Sequence, residues 1–371
     1  MADIKKSDIA NRTADNREKR PRSPFGRIMI VILKILAVVI ETAVLTAAVL
    51  YAVMFLLTKG PSKSARDLFV MSVRETSAIG FLADWFLTED EIAEIEASKN
   101  EEVYFAPTDT SLITINTAPA TDPEAGPQPD EWGLTDEDGD GIILEEIHGR
   151  GYSGYMMVVL DPSRVIMGCV PDSLGHRGYT VAEMAEYYDA VAAINAGGFE
   201  DIGGTGNGSR PDSLIVFKGT PYFAFNGMGS GFVGIDDKYI LHAGLKTLED
   251  VQAANIQYGV CFGPVLVSNG EITPEGSLNS GLNPRTAIGQ RSDGAILMLA
   301  VDGRQVISLG ATFRDIAEIM LRYGAVNACN LDGGSSTLMW FNGEYINNCA
   351  SVIGIRPVPS TFVVLKEGVS P

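Results

Sequence analysis

The sequence predicts an α+β fold: a mixed, strand-rich sheet domain with two or three helices, preceded by one transmembrane helix. Three observations carry this expectation. Residues 28–57 are almost wholly apolar. Short apolar runs separated by turn residues fill the chain beyond Tyr152, and only Thr180–Asp189 and Thr312–Tyr323 show clear helical spacing there. Each of those helices leads into a buried strand while the other strands resemble hairpins, so parallel and antiparallel neighbours are both expected.

Residues 1–27 hold eight Lys or Arg and four acids, a net of +4. The whole chain of 371 residues has 28 Lys and Arg against 47 Asp and Glu, a formal charge of −19, so the remainder carries −23. This balance argues against nucleic acid as a partner, and any anionic ligand must be held by local donors. Residues 35–57 alone give 23 mostly apolar positions, enough for a bilayer core that needs about 20. Glu41 within them costs on the order of 3 kcal/mol, which the many Leu, Ile and Val side chains offset, and Lys34 can reach the interface. The run exceeds the apolar core of about 7 to 15 residues in a signal peptide. An uncleaved single-pass anchor in the cell membrane is therefore expected, with residues 1–27 a cytoplasmic basic tail and everything after the span facing outward.

Residues 58–145 read as a juxtamembrane helical segment followed by a Pro-rich, acidic linker, most evident over Pro107–Trp132. Asp136, Asp138 and Asp140 occupy the first, third and fifth positions of a calcium-loop pattern, but Ile147 stands where the twelfth needs a bidentate Glu. Calcium is thus a weak expectation and a solvated acidic turn the default. No cofactor is required.

From residue 146 to 368 the text is that of one domain. Tyr155–Leu160 and Arg164–Cys169 form a strand pair, and Thr180 with Glu183 makes a capping-box start for the first helix. Strands follow from Val191 and over residues 214–217, 222–225, 231–235, 239–242, 259–262, 265–267, 285–289 and 295–301. In the second helix Phe313, Ile316, Ala317 and Met320 share one face, and Gly324 stops it. The strand Ala325–Leu331 comes next, and residues 337–341 and 361–365 close the domain. Cys169, Cys261, Cys329 and Cys349 allow up to two disulfides or simply buried thiols. The three histidines have no partner spacing.

Four segments place polar groups and glycine at strand ends: Asn195–Asp201 (NAGGFED), Asn283–Thr286 (NPRT), Asp302–Arg304 (DGR) and Asp332–Ser336 (DGGSS). With FGPVLV at Phe262–Val267 they occur in the order found in the phosphodiester glycosidase family, which the chain resembles over roughly 152–365. Ser335 stands where that family often has a third glycine. The resemblance implies hydrolysis of a sugar-1-phosphodiester, with a phosphorylated glycan of the envelope or an exopolysaccharide as substrate. Such chemistry needs a carboxylate near the anomeric carbon and cationic or N–H donors on the phosphate. Asp332, Asp302 and Glu200 are the carboxylate candidates, and Arg285 is the natural clamp because its planar fork matches two oxygens. Arg304, Asn195, Ser335, Ser336 and the backbone at Gly197, Gly198, Gly333 and Gly334 are candidates for orienting substrate. A noncatalytic phosphoglycan-binding module and a metal-dependent phosphodiesterase are the alternatives.

Overall fold

The computed structural model describes residues 24–76, 79–97, 106–115, 127–201, 206–223, 231–351 and 353–369. They fall into two units that divide after Gly60. The first contains one helix, Pro24–Lys59. Its segment Ile28–Lys59 contains an 18-residue stretch of mean hydropathy 2.7 and is long and apolar enough to cross a membrane. Ile35, Val44 and Leu56 are among its many exposed aliphatic side chains. Most of the basic tail lies outside the described residues.

The second unit begins with the expected helical segment. Ser62 caps the helix Lys63–Arg74, accepting from the N–H of Ala65 at 3.2 Å, and Glu89–Ala97 forms a second helix. Val70, Val73, Leu87 and Ile92 give this segment a small core of its own. It is more than a spacer, because the Leu282 N–H donates to Ser72 Oγ at 2.9 Å. The acid- and Pro-rich text is also held at both ends. Thr114 N–H donates to the Ser292 carbonyl at 2.7 Å, and the Arg291 guanidinium lies 3.7 Å from the Trp132 ring centre while pairing with Asp130. Residues 116–126 are outside the described residues.

The remaining strands form three sheets. In spatial order the largest runs Ile142–Gly149, Tyr152–Val159, Ile296–Val301, Arg285–Arg291, Ala325–Leu331, Val265–Ser268 and Glu271–Ile272. The second runs Glu344–Tyr345, Met339–Phe341, Ala190–Asn195, Thr361–Leu365 and Val165–Gly168. The third runs Thr220–Tyr222, Ile215–Phe217, Ile256–Cys261, Phe232–Asp236 and Leu241–Leu245. Period-2 alternation divides the side chains between layers. Ile296, Met298 and Ala300 enter a central core shared by all three sheets, whereas Leu297, Leu299 and Val301 pack on the other face with Ile316 and Met320 of the helix Phe313–Arg322.

The α+β class is as expected, but all neighbouring strands are antiparallel. The helical crossovers explain why a mixed sheet was anticipated. Val165–Gly168 and Ala190–Asn195, joined through the helix Val181–Tyr187, do run the same way, but Thr361–Leu365 lies between them. Likewise Arg285–Arg291 separates Ile296–Val301 from Ala325–Leu331. Each crossover is split by a strand from elsewhere. The expected capping box forms at Thr180–Glu183, and the structure adds another at Thr312–Asp315. The cysteines are thiols; Cys169, Cys261 and Cys329 are buried, and burial pushes the Cys169 thiol up to about 12.

Candidate active site

The strands Ala190–Asn195 and Ala325–Leu331 end side by side, and the Asp332 N–H donates to the Ala196 carbonyl at 2.9 Å. Beyond them the turn Asp332–Ser336 forms the floor of a cleft of about 410 Å³. Its glycines have specific reasons. A Cβ at Gly333 would lie 2.8 Å from the Pro284 carbonyl oxygen, and Gly334 has φ of +60° while its N–H donates to that same carbonyl at 2.9 Å.

Asp332 lies on this floor with Ser335, Ser336, Gly198 and Arg285. Burial is the largest influence on its carboxyl, and the nearby Asp212 carboxylate adds to it; together they push the pKa up to about 7. Hydrogen bonds from Ser336 and Gly333 and the positive charge of Arg356 act in the opposite direction. This carboxyl therefore exchanges its proton near neutrality.

Three arginines border the cleft. Arg285 Nε donates to the Ala311 carbonyl at 3.0 Å and Nη2 to the Gly281 carbonyl at 2.7 Å, with the guanidinium 4.1 Å from the Phe313 ring centre. Its ion-pair partner is Glu75, at 2.8 Å. Arg304 has a left-handed backbone, φ +58°, and its Nη2 donates to Asn283 Oδ1 at 3.0 Å. Burial lowers its pKa, and the like charge of Arg285 adds to that effect. Arg356 donates from Nη1 to Asp201 at 2.6 Å and from Nη2 to Ser335 Oγ at 2.8 Å, and its buried Nε has no hydrogen-bond partner. Burial opposes ionisation of Asp201, but the Arg356 and Gly206 donors outweigh it and hold that carboxyl below its usual value.

Other expected site residues are placed differently. Asp302 is 3% exposed and is not among the cleft-lining residues; its carboxylate accepts from Asn347 Nδ2, the Asn348 N–H and Asn348 Nδ2 at 3.1, 2.9 and 2.7 Å. It braces the turn at residues 347–348. Glu200 pairs with Arg210 at 3.4 Å and also lies outside the cleft lining, on a loop whose residues 202–205 are not described. Asn195 is fully buried beneath the floor. Its Nδ2 donates to the Asp332 carbonyl at 2.6 Å, and its Oδ1 accepts from Thr286 Oγ1 and the Leu338 N–H at 2.9 and 3.1 Å. Those bonds make it a tie between two sheets. Gly197 donates its N–H to Ser360 Oγ at 3.1 Å rather than lining the cleft.

Glu75, Arg356, Asp212, Asn283 and Asn330 are among the lining residues that the sequence reading did not name as site groups. Asn330 stands within the NLDGGSS motif, and its buried Oδ1 has no hydrogen-bond partner, so that motif did hold a usable signal. Glu75 and Arg356 come from text without a recognisable pattern. Away from the cleft, the oxygens of Asp136, Asp138 and Asp140 lie within 4.8 Å of one another. The N–H groups of Gly139 and Gly141 already donate to Asp136, and that of Ile142 to Asp140. These bonds suit an acidic turn folded on its own backbone.

The cleft thus places the Asp332 carboxyl together with three guanidinium groups. Residues 188–365 match the family model for phosphodiester glycosidase. An uncharacterised SPbeta prophage-derived protein, YomE, of Bacillus subtilis is 33% identical over 192 residues, spanning 50% of this chain and 29% of that protein. The N-acetylglucosamine-1-phosphodiester alpha-N-acetylglucosaminidase of Bos taurus is 30% identical over 216 residues, 52% of this chain and 40% of the relative. The chain thus spans less than half the length of these curated relatives. Among solved structures, the zebrafish N-acetylglucosamine-1-phosphodiester alpha-N-acetylglucosaminidase catalytic domain, auto-inhibited by its pro-peptide, superposes with a TM-score of 0.51 at 21% identity. That superposition covers 61% of this chain and 82% of that one, and it shows a shared fold.

Proposed function

We propose that this protein is a membrane-anchored, outward-facing glycosidase that hydrolyses a sugar-1-phosphodiester in an envelope or exopolysaccharide glycan. The observation that carries the reading is the placement of Asp332 in one cleft with Arg285, Arg304 and Arg356. The bovine relative's name supplies the reaction class. The apolar helix and the basic residues before it support anchoring with a cytoplasmic N-terminus.

In this mechanism the arginine donors hold the phosphate. A phosphodiester leaves as a stable anion, so little protonation of the leaving oxygen is required. Asp332 then serves in its ionised form, taking a proton from the water that attacks the anomeric carbon. The C–O bond breaks, the phosphate keeps its electron pair, and the new hydroxyl belongs to the sugar. Ser335, Ser336 and the Asn330 carbonyl group orient sugar hydroxyls.

The test is hydrolysis of a panel of sugar-1-phosphodiesters in oxygen-18 water, read by mass spectrometry with and without chelator. Label in the sugar, undiminished by chelator, is expected. Label in the phosphate would make the protein a phosphodiesterase, and no product from any panel member would overturn the enzymatic reading.

A further inference from the structure

Glu75 lies outside residues 188–365, the segment that matches the family model, yet its carboxylate lines the cleft. It terminates the helix Lys63–Arg74, in the segment that follows the apolar helix in sequence. One oxygen accepts from the Gly281 N–H at 3.1 Å; the other accepts from Asn283 Nδ2 at 2.7 Å and from Arg285 Nη2 at 2.8 Å. The Glu75 carbonyl receives Arg304 Nη2 at 3.4 Å, and Asn283 Oδ1 receives the same guanidinium at 3.0 Å. Asn283 therefore bridges the carboxylate and the second arginine.

The approach is close enough to be built in. A Cβ on Gly281 would meet the Ser72 nitrogen at 2.2 Å, and Ser72 Oγ accepts from the Leu282 N–H at 2.9 Å. The helix is thus seated on the loop that leads into Arg285.

Charge gives this contact a specific consequence. Arg285 and Arg304 place two positive charges on one side of the cleft, while Arg356 is paired with Asp201. Glu75 cancels one of the two, leaving a single net positive charge on the Arg285–Arg304 side of a cleft that Asp332 and Asp212 also line. A phosphodiester carries one negative charge and a phosphomonoester close to two above neutrality. We propose that Glu75 is a positioning and specificity residue of this cleft: it fixes Arg285 and Asn283 and matches the anion site to a singly charged phosphodiester over a doubly charged phosphomonoester. The inference rests on the glycosidase reading for its biological substrate, but the charge preference can be measured without turnover.

The experiment titrates the full chain in detergent micelles at pH 8 with dimethyl phosphate, which has one charge, and inorganic phosphate, which has close to two, by phosphorus NMR. Glu75→Gln keeps the shape and removes the charge. It is expected to tighten inorganic phosphate about tenfold relative to dimethyl phosphate, the size of one nearby charge in a partly screened site. Glu75→Asp is expected to keep the wild-type ratio. Ser72→Ala loosens the same contact without changing charge and should leave the ratio unaltered. An unchanged ratio in Glu75→Gln at an unchanged melting temperature overturns the proposal. Equal tightening of both anions overturns it too, since that outcome makes Glu75 a competitor for the anion seat. A ratio shift of the same size in Ser72→Ala likewise overturns it. If Glu75→Gln does not fold, the ratio in Glu75→Asp decides: a wild-type ratio supports the proposal, and a tenfold shift toward inorganic phosphate overturns it. A shift in Glu75→Gln with no wild-type turnover of any diester would sink the glycosidase reading and leave the charge-matching role standing.

Discussion

Asp332 is held where its protonation can govern rate. Its pKa of about 7 predicts activity that rises as pH increases through that value, because the attacking water needs the ionised carboxylate. Asp332→Asn should lower kcat by about 10³-fold and remove this limb of the pH profile. The same raised pKa has a stability sign. The folded carboxyl binds its proton more tightly than an unfolded Asp, so its favourable contribution is complete below about 4 and lost as pH rises through about 7. Asp332→Asn should therefore melt at a higher temperature than wild type at pH 8 and close to it at pH 4, measured by calorimetry. A lower melting temperature at pH 8 would contradict this. Arg285→Lys keeps the charge but not the fork, so KM should rise about tenfold with a smaller change in kcat. Much of the cleft lining was legible because DGGSS and NPRT gather polar groups locally. Asp302 shows the limit, since Asp-Gly marks a turn but does not say that its carboxylate will serve Asn347 and Asn348 instead of the cleft. Glu75 and Arg356 reach the site by tertiary packing, which no local pattern announces.

Elements were easier to read where sequence and packing agreed. The helix Phe313–Arg322 was marked by its apolar stripe and by Gly324 as its stop, and the structure adds a cap at Thr312, whose Oγ1 accepts from the Asp315 N–H at 3.1 Å. Thr312→Ala should cost about 1 kcal/mol in thermal or denaturant unfolding. Gly281→Ala is expected to act differently, because its new methyl meets backbone at Ser72, which cannot rotate aside. It should raise proteolytic cleavage within residues 63–97 in limited digestion; an unchanged pattern would show that the seat tolerates the methyl. Strand direction was partly legible as well. Helices revealed which strands run alike, but the strand inserted between each pair comes from distant sequence and was invisible to periodicity.

At the scale of the whole molecule, the proposed anchoring assigns the apolar helix to the membrane and the cleft-bearing unit to water. Protease added to intact cells should remove the second unit and leave a fragment containing the helix Pro24–Lys59; protection of the second unit would reverse the proposed topology. The charge balance anticipated such a division, though it could not reveal that the segment after the span supplies a residue to the cleft.

The strand Thr361–Leu365 lies between Ala190–Asn195 and Val165–Gly168, although it follows both in sequence by more than 150 residues. During synthesis the two earlier strands emerge first and must leave a gap for a latecomer. Until it arrives, the bond from the Ala196 N–H to the Ser360 carbonyl and the one from Gly197 to Ser360 Oγ cannot form. The loop beside Asp332 is therefore fastened only when the last strand is in place, so a polypeptide still being synthesised has no finished cleft.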